Sequence, residues 1–199
     1  APDKRFGNFG SIGVAWNIHA ESFFDPMLSI INRLRFRASW GVSGNSEIGS
    51  NRYQRLAAFE YTYDNRPAGE LRGYGNRDLT WEKNATLDVG IEFGLLDNRI
   101  TGSVAFFNKN TYDLLQYVPL SFTTGHNNVY RNAGSMNNRG VEVQLDFAIL
   151  RGEDYHIDLG INMATLRNRV TKLSRDAHGN RLAIEDMWTR TDEGHAMDE

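Results

Sequence analysis

The stretch that decides the fold is GNRDLTWEKNATLDVGIEFGLLDNRITGSVAFFNKNTYDLL, residues Gly75 to Leu115. It reads as two long strands joined by a tight reversal. On the first, Leu87, Val89, Ile91, Phe93 and Leu95 share one face, while Asp88, Gly90, Glu92 and Gly94 share the other. The chain turns at Asp97-Asn98, and the second strand sets Ile100, Val104 and Phe106 on one face, with Gly102 a gap between them. Side chains alternate along a strand, so the pattern defines a sheet with one apolar face and one polar or small-residue face. Strands of soluble sheets centre on about five or six residues, whereas about ten cross a bilayer at a tilt. The pair therefore predicts the wall of a transmembrane β-barrel.

Working outward, the alternation continues. Phe9 to Ile18 sets Ile12, Val14, Trp16 and Ile18 against Ser11, Gly13, Ala15 and Asn17. In Arg33 to Val42, Leu34, Phe36, Ala38, Trp40 and Val42 oppose Arg33, Arg35, Arg37, Ser39 and Gly41. Val141, Val143, Leu145 and Phe147 alternate with Glu142, Gln144 and Asp146; Tyr155, Ile157, Leu159, Ile161 and Met163 alternate with His156, Asp158, Gly160 and Asn162. About six strands result. The links run short and long in turn. Ala20 to Asn32, Leu96 to Asn98 and Arg151 to Asp154 are the short ones; Ser43 to Leu79, Val118 to Arg131 and Asn168 onward are long and polar. That is the rhythm of an outer-membrane barrel with short periplasmic turns and long extracellular loops. Trp16, Trp40, Trp81, Tyr112 and Tyr155 stand toward strand ends, where interfacial aromatics belong, although aromatics favour strands in any setting. The arginine face must meet water or protein. The solvated face of a soluble antiparallel sheet has the same periodicity.

Composition sets wider bounds. The chain has 199 residues, mean hydropathy −0.51 and no apolar run near the length of a membrane helix. Barrel strands are half polar, so that value does not oppose a barrel. The net charge of −3 gives no reason to propose a nucleic-acid partner, and the absence of cysteine removes disulfide and thiol chemistry. The opening Ala1-Pro2-Asp3-Lys4 carries no signal peptide, and a fragment or processed chain is expected.

Chemical motifs are sparse. His19, His126, His156, His178 and His195 lack zinc-ligand spacing. Gly73-Tyr74-Gly75 reads as a turn rather than a phosphate loop, and Asp176 to Glu185 as a polar loop rather than a calcium loop. Asn84-Ala85-Thr86 is a formal sequon that opens a strand. No catalytic residue, metal or cofactor is expected. Asp88, Glu92, Glu142 and Asp146 read as polar lining rather than a glycosidase pair. Arg33, Arg35 and Arg37 stand opposite Glu92 and Asp88, where they form a compensating ladder or touch substrate. Tyr53, Tyr61, Tyr63 and Tyr130 in the long loops are candidates for stacking on a ligand or a partner, with ordinary loop packing as the alternative.

Three phrases carry a family resemblance: LRFRASWGVSGNSEIG (Leu34 to Gly49), the opening hairpin, and NAGSMNNRGVEVQLDF (Asn132 to Phe147). They resemble the barrel of SusC/RagA-type TonB-dependent transporters, in which "G-N-P-x-L-x-W-E" and "N-x-G-x-x-x-N-K-G-V-E" are usual. Arg77 replaces the proline and Arg139 the lysine, and in the closing TRTDEGHAMDE Ala196 stands where proline is usual. The resemblance implies an all-β fold, an antiparallel transmembrane segment of a barrel of about 22 strands around a plug. It also implies a bacterial outer-membrane location among Bacteroidota and active import of glycans or peptides. The implied partners are a SusD-like lipoprotein, the TonB-ExbB-ExbD complex, the oligosaccharide or peptide substrate, and outer-membrane lipid. Plug, TonB box and final strand are expected to lie outside residues 1–199. A passive porin, or a soluble or surface β-sheet module that binds glycans, are the alternative functions. About six strands leave two unpaired edges, so the segment alone is expected neither to insert nor to transport.

Overall fold

The computed structural model describes residues 4, 6–47, 52–71, 73–126, 128–152, 155–173, 175, 184–185 and 190–196. Six strands form one antiparallel meander: β1 (Gly10–Asn17), β2 (Ile31–Asn45), β5 (Glu82–Leu95), β6 (Ile100–Tyr112), β9 (Gly134–Arg151) and β10 (His156–Leu173), neighbours in that order. The long links carry two-stranded hairpins of their own: β3 (Ala57–Tyr63) with β4 (Arg66–Leu71), and β7 (Leu115–Pro119) with β8 (Asn128–Asn132). A short pair, β11 (Ile184–Glu185) and β12 (Arg190–Thr191), follows β10.

The expected strands are present, but most are longer than the apolar alternation indicated. β9 and β10 each run 18 residues, and β10 reaches Leu173 where a loop was expected from Asn168. Part of the added length, such as Asn137 to Arg139, is polar on both faces. Apolar periodicity ends along these lengths, while backbone pairing continues. The expected loop at Asp176 to Glu185 lies largely outside the described residues; only its last two positions are seen, as β11.

The apolar face forms an oblique band. Toward the long loops Ile12, Trp40 and Leu87 share one register row at its edge, with Val42 alone extending one position further out on β2. On β6 and β9 the edge recedes to the row of Phe106 and Val141, and on β10 to that of Met163. At the other end it advances from Trp16 on β1 to Leu95, Ile100 and then Ile157 on β10. The band thus slips by about one residue per strand. With about 3.3 Å per residue and about 4.8 Å between strands, a level band requires a strand tilt of about 35°, the range of membrane barrels. Its side chains have no covering layer: Ile12 is 73% exposed and Met163 61%. A face this large and apolar, at the tilt of a barrel, is the face a transmembrane β-barrel turns to lipid.

The short-turn end is tied by side chains. Leu96, Asp97 and Asn98 all have positive φ (54°, 56° and 56°), a costly run for non-glycine residues. Asn32 Oδ1 accepts hydrogen bonds from Asp97 N (2.6 Å) and Asn98 N (3.3 Å), while Arg151 donates to the Asp97 and Asn98 carbonyls.

Candidate functional site

The polar face presents charge in a defined pattern. Arg33 is the register partner of Gly94, Arg35 of Glu92 and Arg37 of Gly90. The two glycines leave room for guanidinium stems to lie across β5; a Cβ on Gly90 would meet Arg37 Nε at 2.9 Å. All three arginines reach one carboxylate. Arg33 pairs with Glu92 at 2.8 Å, Arg35 at 4.0 Å and Arg37 at 3.9 Å, and Arg37 also stands 3.9 Å from Asp88. Arg35 Nε is buried without a partner among the described residues. Glu142 and Asp146 stand on the same face but on β9; Asp146 accepts from Gln144 Nε2 at 3.1 Å. Arg37, Gly90, Ala105 and Glu142 share a register row, so small residues floor the space between the cation and that carboxylate.

A second cluster joins the long loops. Arg52 lies 5.2 Å over the Tyr130 ring, and Tyr130 stacks on its cross-strand partner Tyr117 at 3.7 Å between centroids. Arg55 lies 5.1 Å over Tyr74 and donates to its carbonyl, and the Tyr74 ring meets His126 edge-on. Arg52 over Tyr130, with the Tyr74–His126 contact, fastens one loop to the other, while Arg55 over Tyr74 braces the first loop on itself. The Tyr117 hydroxyl beside Tyr130, helped by burial, raises the Tyr130 phenol above its ordinary range, with Arg52 acting in the opposite direction.

Of the expected loop tyrosines whose side chains are described, Tyr130 alone enters this cluster. Tyr53 accepts a local bond from Gln54, and Tyr63 is 80% exposed beside the Asp64-Asn65 turn. The Tyr61 backbone pairs with Ala68, and its side chain lies outside the described residues. Sequence reading missed Arg52, Arg55 and Tyr117 as partners, because Arg52 meets a residue of another loop and the other two meet residues 13 to 19 positions away inside folded links.

Two motif asparagines are structural clamps. Asn132 accepts from Thr80 N (2.9 Å) and donates to the Thr80 and Asp113 carbonyls (3.0 and 2.8 Å). Asn76 donates to the Tyr130 carbonyl at 2.9 Å. The sequon residue Asn84 accepts from Thr111 Oγ1 at 2.7 Å. Gly75, at φ +67°, sits against the Gln54 backbone in irregular chain just before the turn at Arg77-Asp78. Among the described residues no group of three or more His, Cys, Asp or Glu is placed to hold a metal.

Oblique apolar band, charged opposite face, and short and long links in alternation define a wall segment of a transmembrane β-barrel. The chain belongs to the TonB dependent receptor-like, beta-barrel family, whose model matches residues 3–187. It is 31% identical over 181 residues to TonB-dependent receptor SusC of Bacteroides thetaiotaomicron, covering 86% of this chain and 18% of that protein. It is 34% identical over 174 residues to TonB-dependent receptor P39 of Formosa agariphila, covering 86% and 16%. The RagAB peptide importer in its closed-closed state superposes with a TM-score of 0.86 at 28% identity, over 97% of this chain and 21% of that one. The chain thus spans about a fifth of the length of the relatives it matches, and it is a SusC/RagA-type barrel segment.

Proposed function

We propose that this chain forms part of the wall of an outer-membrane transporter that actively imports oligosaccharides or peptides. The observation that carries the reading is the family match over residues 3–187, joined to a wall whose apolar and charged faces are cleanly separated. The polar face lines the lumen. There the Arg33–Arg35–Arg37 ladder on Glu92 and Asp88 keeps the wall hydrated and offers charged groups to a plug, with Glu142 and Asp146 as further lining. The loop cluster around Tyr130 shapes the extracellular mouth, beneath a SusD-like lipoprotein lid. Energy comes from the TonB-ExbB-ExbD complex acting on parts of the protein outside this segment. SusC and the RagAB peptide importer, by their names a TonB-dependent receptor and an importer of peptides, support this reading.

The test uses the full-length protein in its own bacterium. Deleting the gene is expected to abolish growth on one oligosaccharide or peptide class, and deleting TonB to have the same effect. Uptake that survives loss of TonB would point to a passive pore. Recovery of the full-length protein as a soluble monomer without detergent would favour a binding module.

A further inference from the structure

Arginine is treated differently on the two faces of this wall. On the polar face Arg33, Arg35 and Arg37 all have carboxylates within 4.0 Å. On the apolar face three others have none. Arg139 follows Val143 and Val141 along β9, and Arg167 and Arg169 follow Met163 and Thr165 along β10. Strand alternation places all three on the lipid side, just past the band toward the long loops. All three are exposed, and none forms an ion pair among the described residues.

Register makes this costly in isolation. Arg139 and Arg167 are direct cross-strand partners, and Arg169 pairs with Asn137 one outward position further on. Like charges directly opposite each other destabilise a ladder unless an anion lies between them. Among the described residues no carboxylate supplies that anion from nearby. The outward neighbours on β6 are Asn108 and Asn110, whose side-chain oxygens are taken by Asn137. On the adjoining segment Asp192 pairs with Arg190 at 2.8 Å, and Glu193 accepts from Leu173 N. Three guanidinium groups thus stand where the apolar band meets the outer leaflet's head groups. Guanidinium forks suit phosphate, which they bind bidentately.

We propose that Arg139, Arg167 and Arg169 form a docking strip for the phosphate groups of a phosphorylated glycolipid in the outer leaflet. The strip anchors the barrel at a set height and recruits an ordered anionic lipid to this side of the wall. The inference rests on the outer-membrane reading above, but its test reads lipid binding and not transport, so the two can fail separately.

The experiment uses the full-length transporter purified in neutral detergent, with bisphosphorylated lipid A as probe and native mass spectrometry as readout. Wild type is expected to retain the bisphosphorylated lipid about tenfold more tightly than its dephosphorylated form. Arg139→Gln/Arg167→Gln/Arg169→Gln is expected to lose that preference, and Arg37→Gln on the polar face to keep it. Inorganic phosphate at the same concentration is expected not to compete. Equal retention of the two lipids by wild type overturns the proposal, and that arm requires no variant to fold. So does an unchanged preference in the triple variant, or displacement of the lipid by inorganic phosphate, which would mark a site for free anions.

Discussion

Phe107 lays its ring across Gly140, its register partner on the adjoining strand. A Cβ on Gly140 would meet the ring at 2.7 Å and the Thr165 carbonyl oxygen closer still. The glycine of the "R-G-V-E" phrase is therefore required by close approach of a neighbouring strand. Gly102 plays the same part on the apolar face, under the ring of Phe93. Gly140→Ala in the full-length protein is expected to cost about 1–3 kcal/mol of barrel stability, the usual range for overpacking. Urea unfolding of the folded, heat-modifiable band measures this. Because Thr165 O is backbone, adding Phe107→Ala should not restore wild-type stability; full restoration would place the whole obstacle in the ring.

Asn132 ties three segments at the base of the long loops. Asn132→Ala leaves the half-buried Thr80 amide and two carbonyls without their partner, at about 1 kcal/mol each at most. Protease treatment of intact cells should then cut the loop between residues 46 and 81 faster than in wild type. Asn132→Asp, which keeps the acceptor and loses both donated bonds, should fall between. Equal cleavage in all three proteins would remove the clamp from the account.

Glu92 is the shared anion of the arginine ladder, yet the paired side chains remain 25–53% exposed. Solvent screening then limits what each ion pair contributes, and Glu92→Gln is expected to change stability by less than about 1 kcal/mol. The larger effect should be electrostatic, a more positive polar face read as altered salt dependence of substrate binding. A stability loss well beyond that bound would make the ladder a structural support.

Tyr130 carries a phenol raised above its ordinary value of 10.0. The folded state therefore favours the protonated form. Its contribution is complete below the unfolded value and is lost as pH rises through the folded one. Ultraviolet titration should show a late-ionising tyrosine that disappears in Tyr130→Phe. Loop protection against protease should fall over that same alkaline interval in wild type alone.

The period-two alternation along the chain, clearest in residues 75–115, was enough to give strand count, the two faces and the membrane class, because side-chain direction in a strand is a local property. It likewise placed Arg33, Arg35 and Arg37 on one face with their counter-charges. It could not extend the strands past the bilayer, where Asn137 and Asn138 carry no alternation, nor find the hairpins inside the loops. Contacts such as Asn76 with Tyr130, 54 residues apart, were also beyond it. Tertiary structure decided those, since register and loop packing depend on which distant backbone lies alongside. The same register set Arg139 against Arg167, a pairing no spacing in either strand announces.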